Sequence, residues 1–242
     1  MWKFKSFFLV APFVLSILVV ALSVYRFPSK TTPEKRISAS ELERKFEEIK
    51  HLYQQGRLEE AREQMKSKES SLILLGEGCE LVLSVYARLD DFEPLKNYSE
   101  RCFKHPTNRD IAYEGYGKSS FKLGTAKEAI KILEEEIKKH ESDRLLAVIA
   151  ELYFFEKDYL NSRDYFKKLI KNSTMWQAWL YRIMKFPPLL KSPEFVETLT
   201  YEVSQKKEVS KTVEEELLSY AKAYKLSNSV LTLEKRLKTK IN

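Results

Sequence analysis

The chain has 242 residues, of which 43% are hydrophobic and 32% charged, so it is long enough for one domain with a substantial core. Only 6 glycines and 8 prolines occur, which argues against a turn-rich all-β sandwich and confines disorder to short segments. The net charge of +7 favours acidic partners or anionic lipid headgroups, although lysines scattered over a solvated surface are the simpler explanation.

An uncharged segment of 19 residues, Phe7–Tyr25, lies near the start of the sequence. As a helix rising about 1.5 Å per residue it would span roughly 28 Å, close to the hydrocarbon thickness of a bilayer. We therefore predict that residues 1–26 form a retained signal-anchor, a single transmembrane helix. Ala21-Leu22-Ser23 offers a signal-peptidase site, so a cleaved signal peptide is the alternative.

The charges that flank this segment set its expected orientation. Two lysines precede the segment and four basic residues follow it closely, so the positive-inside count is nearly balanced. A short basic tail ahead of the first apolar segment usually stays in the cytoplasm. We therefore expect a single-pass protein of the inner (cell) membrane, with the remaining chain outside the cytoplasm, in the periplasm if the source is bacterial.

The remaining sequence predicts an all-α domain over residues 41–242, after a polar linker over residues 27–40. Ser40 and Glu43 form a capping box that predicts the start of the first helix. Lysine, glutamate, leucine and alanine then dominate long stretches, which is a helix-forming composition. Residues typical of turns interrupt the helical pattern at 54–56, 89–91, 105–108, 123–125, 156–158, 185–188 and 226–229.

The interruptions recur with a regular period. Ala61, Leu95, Ala129 and Ser162 are separated by 34, 34 and 33 residues. A helix–turn–helix period of 34 residues with small and apolar residues in fixed columns resembles the tetratricopeptide repeat. The unit that matches the repeat best carries Tyr113, Tyr116, Gly117, Gly124, Ala129 and Leu133.

The resemblance implies a superhelix, or α-solenoid, built of antiparallel helix pairs. The alignment divides the domain into repeats at about 42–75, 76–109, 110–142 and 143–175, a degenerate unit at 176–213 and a terminal hairpin at 214–242. The degenerate unit departs from the pattern because Pro187-Pro188 lengthens its corner and its second helix lacks the small residue.

Gly117-Lys118-Ser119 also looks like the end of a phosphate-binding loop. That loop requires a glycine at position 112, which is alanine in this chain, and a preceding strand. In the repeat alignment Gly117 instead shares a column with Ile49, Leu83 and Ala150, where paired helices approach one another. We therefore predict that Gly117 is a packing residue.

The sequence contains no other constellation that points to catalysis. Its three histidines, at positions 51, 105 and 140, have no cysteine or carboxylate partners at metal-ligand spacing. No nucleophile-elbow or zinc-protease motif occurs. We therefore expect no enzymatic activity, no cofactor, no metal ion and no small-molecule substrate.

Cys79 and Cys102 are the two cysteines of the chain. The repeat alignment places them on the two antiparallel helices of one hairpin, toward the same end. A disulfide is conceivable there in an oxidising compartment. We favour buried free thiols that pack as small apolar residues.

The resemblance also implies a binding surface, because the first helix of each pair lines the concave face of such a superhelix. Aromatic and basic side chains are expected there, and Phe121 and Phe154 are expected to point into one channel. Some of these aromatic rings alternatively brace neighbouring helices. The candidate groove residues are Lys50, Tyr53, Arg88, Lys118, Phe121, Lys122, Phe154 and Phe155.

The sequence thus favours a non-enzymatic, membrane-tethered scaffold of the cell envelope that binds segments of protein partners and no nucleic acid. The first alternative is a secreted or peripheral repeat protein that binds envelope machinery or an anionic lipid surface after signal cleavage. The second alternative, from a different class, is an enzyme.

Overall fold

A computed structural model describes residues 38–239, so the predicted signal-anchor and most of the linker lie outside the described residues. All regular structure between residues 38 and 239 is helical, as the sequence predicted. No helix in this range is long and apolar enough to span a bilayer. Among the described residues, 43–239 form one compact unit.

Within residues 38–239, helices follow one another in pairs, and we call the first helix of each pair inner and the second outer. The inner helices are α1, α4, α6, α8, α10 and α12, and the single-turn helix α3 interrupts the series. A 3₁₀ turn, Leu189–Lys191, follows α10. The helices are α1 (Ala39–Gln54), α2 (Leu58–Met65), α3 (Glu69–Leu72), α4 (Gly78–Arg88), α5 (Phe92–Cys102), α6 (Arg109–Lys122), α7 (Ala126–Ile137), α8 (Asp143–Phe155), α9 (Tyr159–Asn172), α10 (Trp176–Met184), α11 (Pro193–Ser204), α12 (Lys211–Ala223) and α13 (Ser227–Thr239).

The start of α1 differs from the prediction by two residues. The hydroxyl of Ser38 accepts a hydrogen bond from the backbone N–H of Glu41 at 3.2 Å. The helix begins at Ala39, so Ser38 occupies the capping position and the predicted capping box at Ser40 is wrong. Both serines can supply the oxygen that an N-cap needs, and the sequence pattern did not distinguish them.

The predicted periodic columns lie where helices cross. Ala61, Leu95, Ala129 and Ser162 are all fully buried, as helices that pack at about 8–10 Å require small or well-fitted side chains at the crossing. The Ser162 hydroxyl donates a hydrogen bond to the carbonyl oxygen of Ala150 at 2.8 Å. The one polar member of the column is therefore satisfied inside the core.

In four of the turns between an inner and an outer helix, one residue has a positive φ, and these residues recur about every 34 positions. Gly56, Asp90, Gly124 and Lys157 each adopt a positive φ, of 76°, 53°, 71° and 63°. The residue after each of them donates its N–H to a carbonyl oxygen five residues earlier, at 2.8–3.1 Å. This arrangement is a Schellman-type helix end, which satisfies carbonyls that the helix leaves open. Lys225 repeats the conformation in the terminal hairpin, with a φ of 56°.

Successive pairs are also linked by polar contacts at the ends of their helices. The Asn108 side chain donates to the Gly76 carbonyl oxygen at 2.8 Å. Ser142 contacts Asp110 at 2.7 Å, and Ser173 makes the equivalent contact with Asp143. These bonds join residues about one repeat apart, so they fix how each pair stacks on the next.

Gly117 lies within α6 and packs against α8. A β-carbon at this position would overlap the Cγ1 atom of Val148, so glycine allows the two inner helices to approach closely. The adjacent Lys118 directs its ammonium to the Ala87 carbonyl oxygen and to Asp90, each at 3.0 Å. The packing interpretation of Gly117 is confirmed, and no strand precedes it within residues 38–239.

Cys79 and Cys102 form a disulfide, with their Cα atoms 6.0 Å apart. The bond joins the start of α4 to the end of α5, and both residues are fully buried. The preference for free thiols is therefore wrong. The alignment placed the two residues at the same end of one hairpin, but it did not fix the distance between their side chains.

The degenerate unit keeps the helix pair and remodels its corner. Pro187 and Pro188 precede the 3₁₀ turn, and the Arg163 side chain donates to the carbonyl oxygens of Pro188 and Leu189 at 3.3 and 2.9 Å. These bonds satisfy backbone acceptors that a regular helix would pair internally. Val196 is fully buried in α11, so an apolar residue fills the interface that lacks the small residue.

Candidate functional site

A groove of about 740 Å³ runs across the inner helices. Helices α4, α6, α8 and α10 contribute its walls, and Leu95 of the outer helix α5 forms part of its floor. Its apolar and small lining residues are Leu83, Ser84, Ala87, Leu95, Ile111, Gly115, Gly117, Phe121, Ala147, Val148, Leu152 and Phe155, and its charged ones are Glu114, Lys118, Lys122, Arg144, Glu151 and Arg182.

Two phenylalanines from neighbouring inner helices form an exposed apolar surface in the groove. The rings of Phe121 and Phe155 stack with their centroids 4.2 Å apart and their planes inclined by 23°. Each residue remains 39% exposed. An exposed, stacked aromatic pair at the wall of a groove is a surface typical of recognition sites, because aromatic anchors carry much of the energy of an interface.

Phe154 has a different environment from the one expected. Its ring packs against Phe186 and Tyr159, with centroids 4.4 and 5.6 Å away, and it packs against the hydrophobic core that helices α8 to α13 share. It does not line the groove. The expectation that Phe121 and Phe154 point into one channel is therefore wrong, and Phe155 takes that place.

Most charges in the groove are already paired. Arg144 contacts Glu114, and Arg182 contacts Glu151, donating from one terminal nitrogen to Oε2 at 2.8 Å. Lys118 is bonded to Asp90, as described above. The side chain of Lys122 is exposed and makes no hydrogen bond, ion pair or ring contact with any other residue that the structure describes.

Glu151 is the most deeply placed acid of the groove. Burial raises the pKa of its carboxyl, and the guanidinium of Arg182 opposes that rise. Loss of the Arg182 charge would therefore favour the protonated acid. The pair forms a polar wall beside the aromatic one, so the groove combines apolar contact with fixed hydrogen-bonding groups.

The remaining predicted groove residues lie toward the start of the domain, outside the groove lining. Lys50 pairs with Glu77, with Nζ and Oε2 2.6 Å apart, and this hydrogen bond raises the pKa of Lys50. The guanidinium of Arg88 lies 5.0 Å from the centre of the Tyr53 ring, at cation–π distance. The structure thus brings together Lys118, Phe121, Lys122 and Phe155, and leaves Lys50, Tyr53 and Arg88 outside the groove lining.

Sequence reasoning missed the two arginines of the groove. Arg144 lies 30 residues after Glu114, and Arg182 lies 31 residues after Glu151. These separations are close to one repeat, so opposite charges on successive inner helices face each other. An acid followed one repeat later by an arginine is the sequence signal that could have indicated both pairs.

Comparison with known proteins supports the fold. A crystal structure of a tetratricopeptide repeat protein from Parabacteroides merdae superposes with a TM-score of 0.53 at 16% identity, covering 96% of each chain. A Podosopora anserina protein with nearly identical TPR-like repeats has a TM-score of 0.36 at 14% identity, covering 83% of this chain and 94% of that one. No protein-family model matches the chain, and no curated protein matches it. The superposition on the Parabacteroides merdae protein shows that the chain has a tetratricopeptide-repeat-like fold.

Proposed function

We propose that this protein is a non-enzymatic scaffold that binds a segment of a partner protein in the groove of its inner helices. The observation that carries the proposal is the stacked and exposed pair of Phe121 and Phe155 in the groove wall. An exposed apolar surface with a polar rim, inside a groove, is typical of a site for protein–protein interaction. Solenoid folds bind partners on such extended surfaces.

The dimensions of the groove suit a short segment. It crosses four inner helices, α4 to α10, and neighbouring helix axes are about 8–10 Å apart, so its length is roughly 24–30 Å. An extended chain covers about 3.3 Å per residue. The groove therefore accommodates about seven to nine residues of extended polypeptide.

The first prediction tests the aromatic pair. Replacing Phe121 and Phe155 together with alanine should weaken binding of a partner by about 2 kcal/mol or more, roughly 30-fold in dissociation constant, because truncating central aromatic anchors removes most of the contact energy. The partner is first identified by photo-crosslinking from a groove position such as Ser84. Its affinity for both proteins is then measured by isothermal titration calorimetry.

A matched control separates binding from folding. Leu160 and Tyr201 are exposed apolar residues on outer helices, and their double alanine variant should bind the partner as the natural protein does. Thermal unfolding of both variants is followed by circular dichroism. Unchanged affinity in a Phe121/Phe155 variant that unfolds at a lower temperature would show that these rings brace the helices and that the site lies elsewhere.

We also propose that the scaffold is tethered to a membrane and faces an oxidising compartment. Two independent features support this proposal. Residues 7–25 are an uncharged apolar segment of bilayer length, and the Cys79–Cys102 disulfide is of the kind that persists outside the cytoplasm.

The second prediction concerns this tether. The full-length protein should stay with isolated membranes through a wash in about 1 M salt and dissolve in detergent, because salt screens charge attraction but does not release an apolar helix. Immunoblotting of each fraction measures the distribution. Release by salt alone would favour the peripheral alternative, in which surface charge holds the protein to envelope machinery or anionic lipid.

A further inference from the structure

The polypeptide chain enters the solenoid at one edge, where the first outer helix ends. The Nζ atom of Lys45, near the start of α1, lies 3.5 Å from Oε1 of Gln64, near the end of α2. Since the helices of each pair are antiparallel, each outer helix ends and the next inner helix begins at this edge. We call it the entry edge, and in the first three pairs it consists of the connections 66–77, 103–108 and 138–142.

The first of these connections presents an exposed leucine on an anchored loop. Leu74 is 72% exposed, more than any other large apolar side chain among residues 38–239, whereas its neighbours Leu72 and Ile73 are buried. Three hydrogen bonds of 2.8 Å anchor the loop: they run from the Tyr86 hydroxyl to Glu69, from Arg101 to Ser70 and from Asn108 to the Gly76 carbonyl oxygen. The anchored backbone therefore keeps Leu74 in solvent while the adjacent side chains pack inside.

A cleft of about 620 Å³ lies beside this loop, between the C-terminal ends of α5 and α7. Phe103 and Ile132 supply its apolar surface. Its titratable lining residues are Glu100, Arg101, Lys104, Arg109, Glu136, Lys139 and His140. Four of these are lysine or arginine and two are glutamate, so positive charge exceeds negative charge in the cleft.

Three cations of the cleft form no ion pair within residues 38–239. Lys104 is exposed, and its side chain makes no hydrogen bond or ring contact in that range. Arg109 donates to a backbone carbonyl oxygen at 3.0 Å, and Arg101 donates to a serine hydroxyl. The fourth cation, Lys139, is paired with one of the two acids. Glu100 offsets one of the three remaining charges, so a phosphate group would complement the others.

The length of chain before the described residues bears on what covers this edge. Twelve residues separate Tyr25, the last residue of the apolar segment, from Ser38, and fully extended they reach about 45 Å at most. A flexible link of that length gives the domain an effective concentration near the lipid of about 1 mM. One apolar side chain and a few cations are then sufficient for a contact that a free domain would not maintain.

We propose that the entry edge of the first three helix pairs contacts an anionic lipid bilayer. Leu74 inserts at the boundary between headgroups and acyl chains, and lipid phosphates contact Arg101, Lys104 and Arg109. Apolar insertion combined with attraction between basic side chains and anionic headgroups is how proteins bind to such interfaces. The inference rests on the proposed membrane tether and adds the surface of the domain that faces the lipid.

The test uses the full-length protein reconstituted into vesicles, with a polarity-sensitive nitrobenzoxadiazole label on Leu74→Cys. The natural cysteines form a disulfide, so the label reacts with the new thiol. Its emission should be about twofold higher with about 30% phosphatidylglycerol in phosphatidylcholine than with phosphatidylcholine alone. Leu160→Cys is the matched control, because Leu160 is 67% exposed but lies at the start of α9, on the opposite edge. Its label should respond equally to both lipids.

Two further variants test the charges of the cleft. Lys104→Glu with Arg109→Gln should abolish the additional emission of the Leu74 label in anionic vesicles. Lys131→Glu with Lys191→Gln removes the same charge at exposed positions away from this edge and should preserve it. Lys104→Glu alone changes a side chain without contacts and should remove about half of the gain. Circular dichroism verifies that each variant is folded.

Flotation of the vesicles separates this inference from the proposed tether. Protein that floats with neither lipid composition would overturn the tether and, with it, this contact. Protein that floats, but whose Leu74 label responds no more to anionic lipid than the Leu160 label does, would overturn the contact and leave the tether in place. A Leu74 label that responds only after membrane proteins are added would assign the loop to a protein partner instead.

Discussion

Replacing Cys79 and Cys102 together with alanine is expected to lower the free energy of unfolding by about 3 kcal/mol. The disulfide closes a loop with a sequence separation of 23 residues. Without this cross-link the unfolded chain regains conformational entropy, which for a loop of that size lowers the free energy of unfolding by about 3 kcal/mol. The alanine side chains also leave small voids at two fully buried positions. The midpoint of thermal unfolding, measured by circular dichroism, should fall by roughly 6–12 °C for a domain of this size.

Reduction of the natural protein provides the control. After unfolding and refolding in excess reductant it should melt close to the double alanine variant, and the variant itself should be insensitive to reductant. Equal midpoints for the oxidised and reduced natural protein would contradict a stabilising role for the bond. The expected loss would be concentrated in α4 and α5, which the bond joins.

The repeat architecture was readable from the sequence because close helix crossings restrict residue size. Ala61, Ala129 and Ser162 recur at the crossings and are fully buried, so their spacing carried the prediction. The turns were also located, since Gly56, Asp90, Gly124 and Lys157 all lie within predicted interruptions of the helical pattern. The sequence did not show that Asp90 and Lys157 adopt the positive φ that glycine favours, because the helices on each side impose that conformation.

The candidate site was predictable only in part from the repeat alignment. A one-residue error rotates a helical position by about 100°. Both Phe154 and Phe155 were candidates, and the place beside Phe121 was assigned to Phe154, one residue before the ring that stacks there. Phe186, from the irregular corner after α10, packs against Phe154 and draws it into the core. That corner departs from the repeat, so the periodic pattern held no information about it.

The spacing of acids and arginines could have suggested the inter-helix ion pairs, but it could not establish that they form. The pairing of Glu151 with Arg182 depends on the distance and rotation between two inner helices, and the repeat period supplies only their order. The same holds for the disulfide, which required the separation of two side chains at the end of a hairpin. The repeat period thus predicted the order of the helices, whereas their distances and rotations determine which ion pairs and which disulfide form between them.

The end of the solenoid depends on one arginine, and Arg236→Met is expected to lower the free energy of unfolding by about 3 kcal/mol. The Arg236 guanidinium donates to Glu214 Oε1 at 2.8 Å and to the carbonyl oxygens of Ser204 and Lys206 at 3.3 and 3.0 Å. It thereby joins α13 to α12 and to the end of α11. Glu214 is fully buried, and removing one partner of a buried ion pair costs about 3–5 kcal/mol. We expect the lower end of this range because the Arg236 side chain is 20% exposed.

Urea denaturation followed by circular dichroism measures this loss, and Lys235→Met provides the matched control. Lys235 is the exposed neighbour of Arg236 on the same helix, so its loss should change stability by less than about 0.5 kcal/mol. The double variant Arg236→Met with Glu214→Met should recover part of the loss, because it no longer buries a carboxylate without its arginine. A double variant as unstable as the sum of two single ones would show that the residues act independently and that this ion pair does not hold the terminal hairpin.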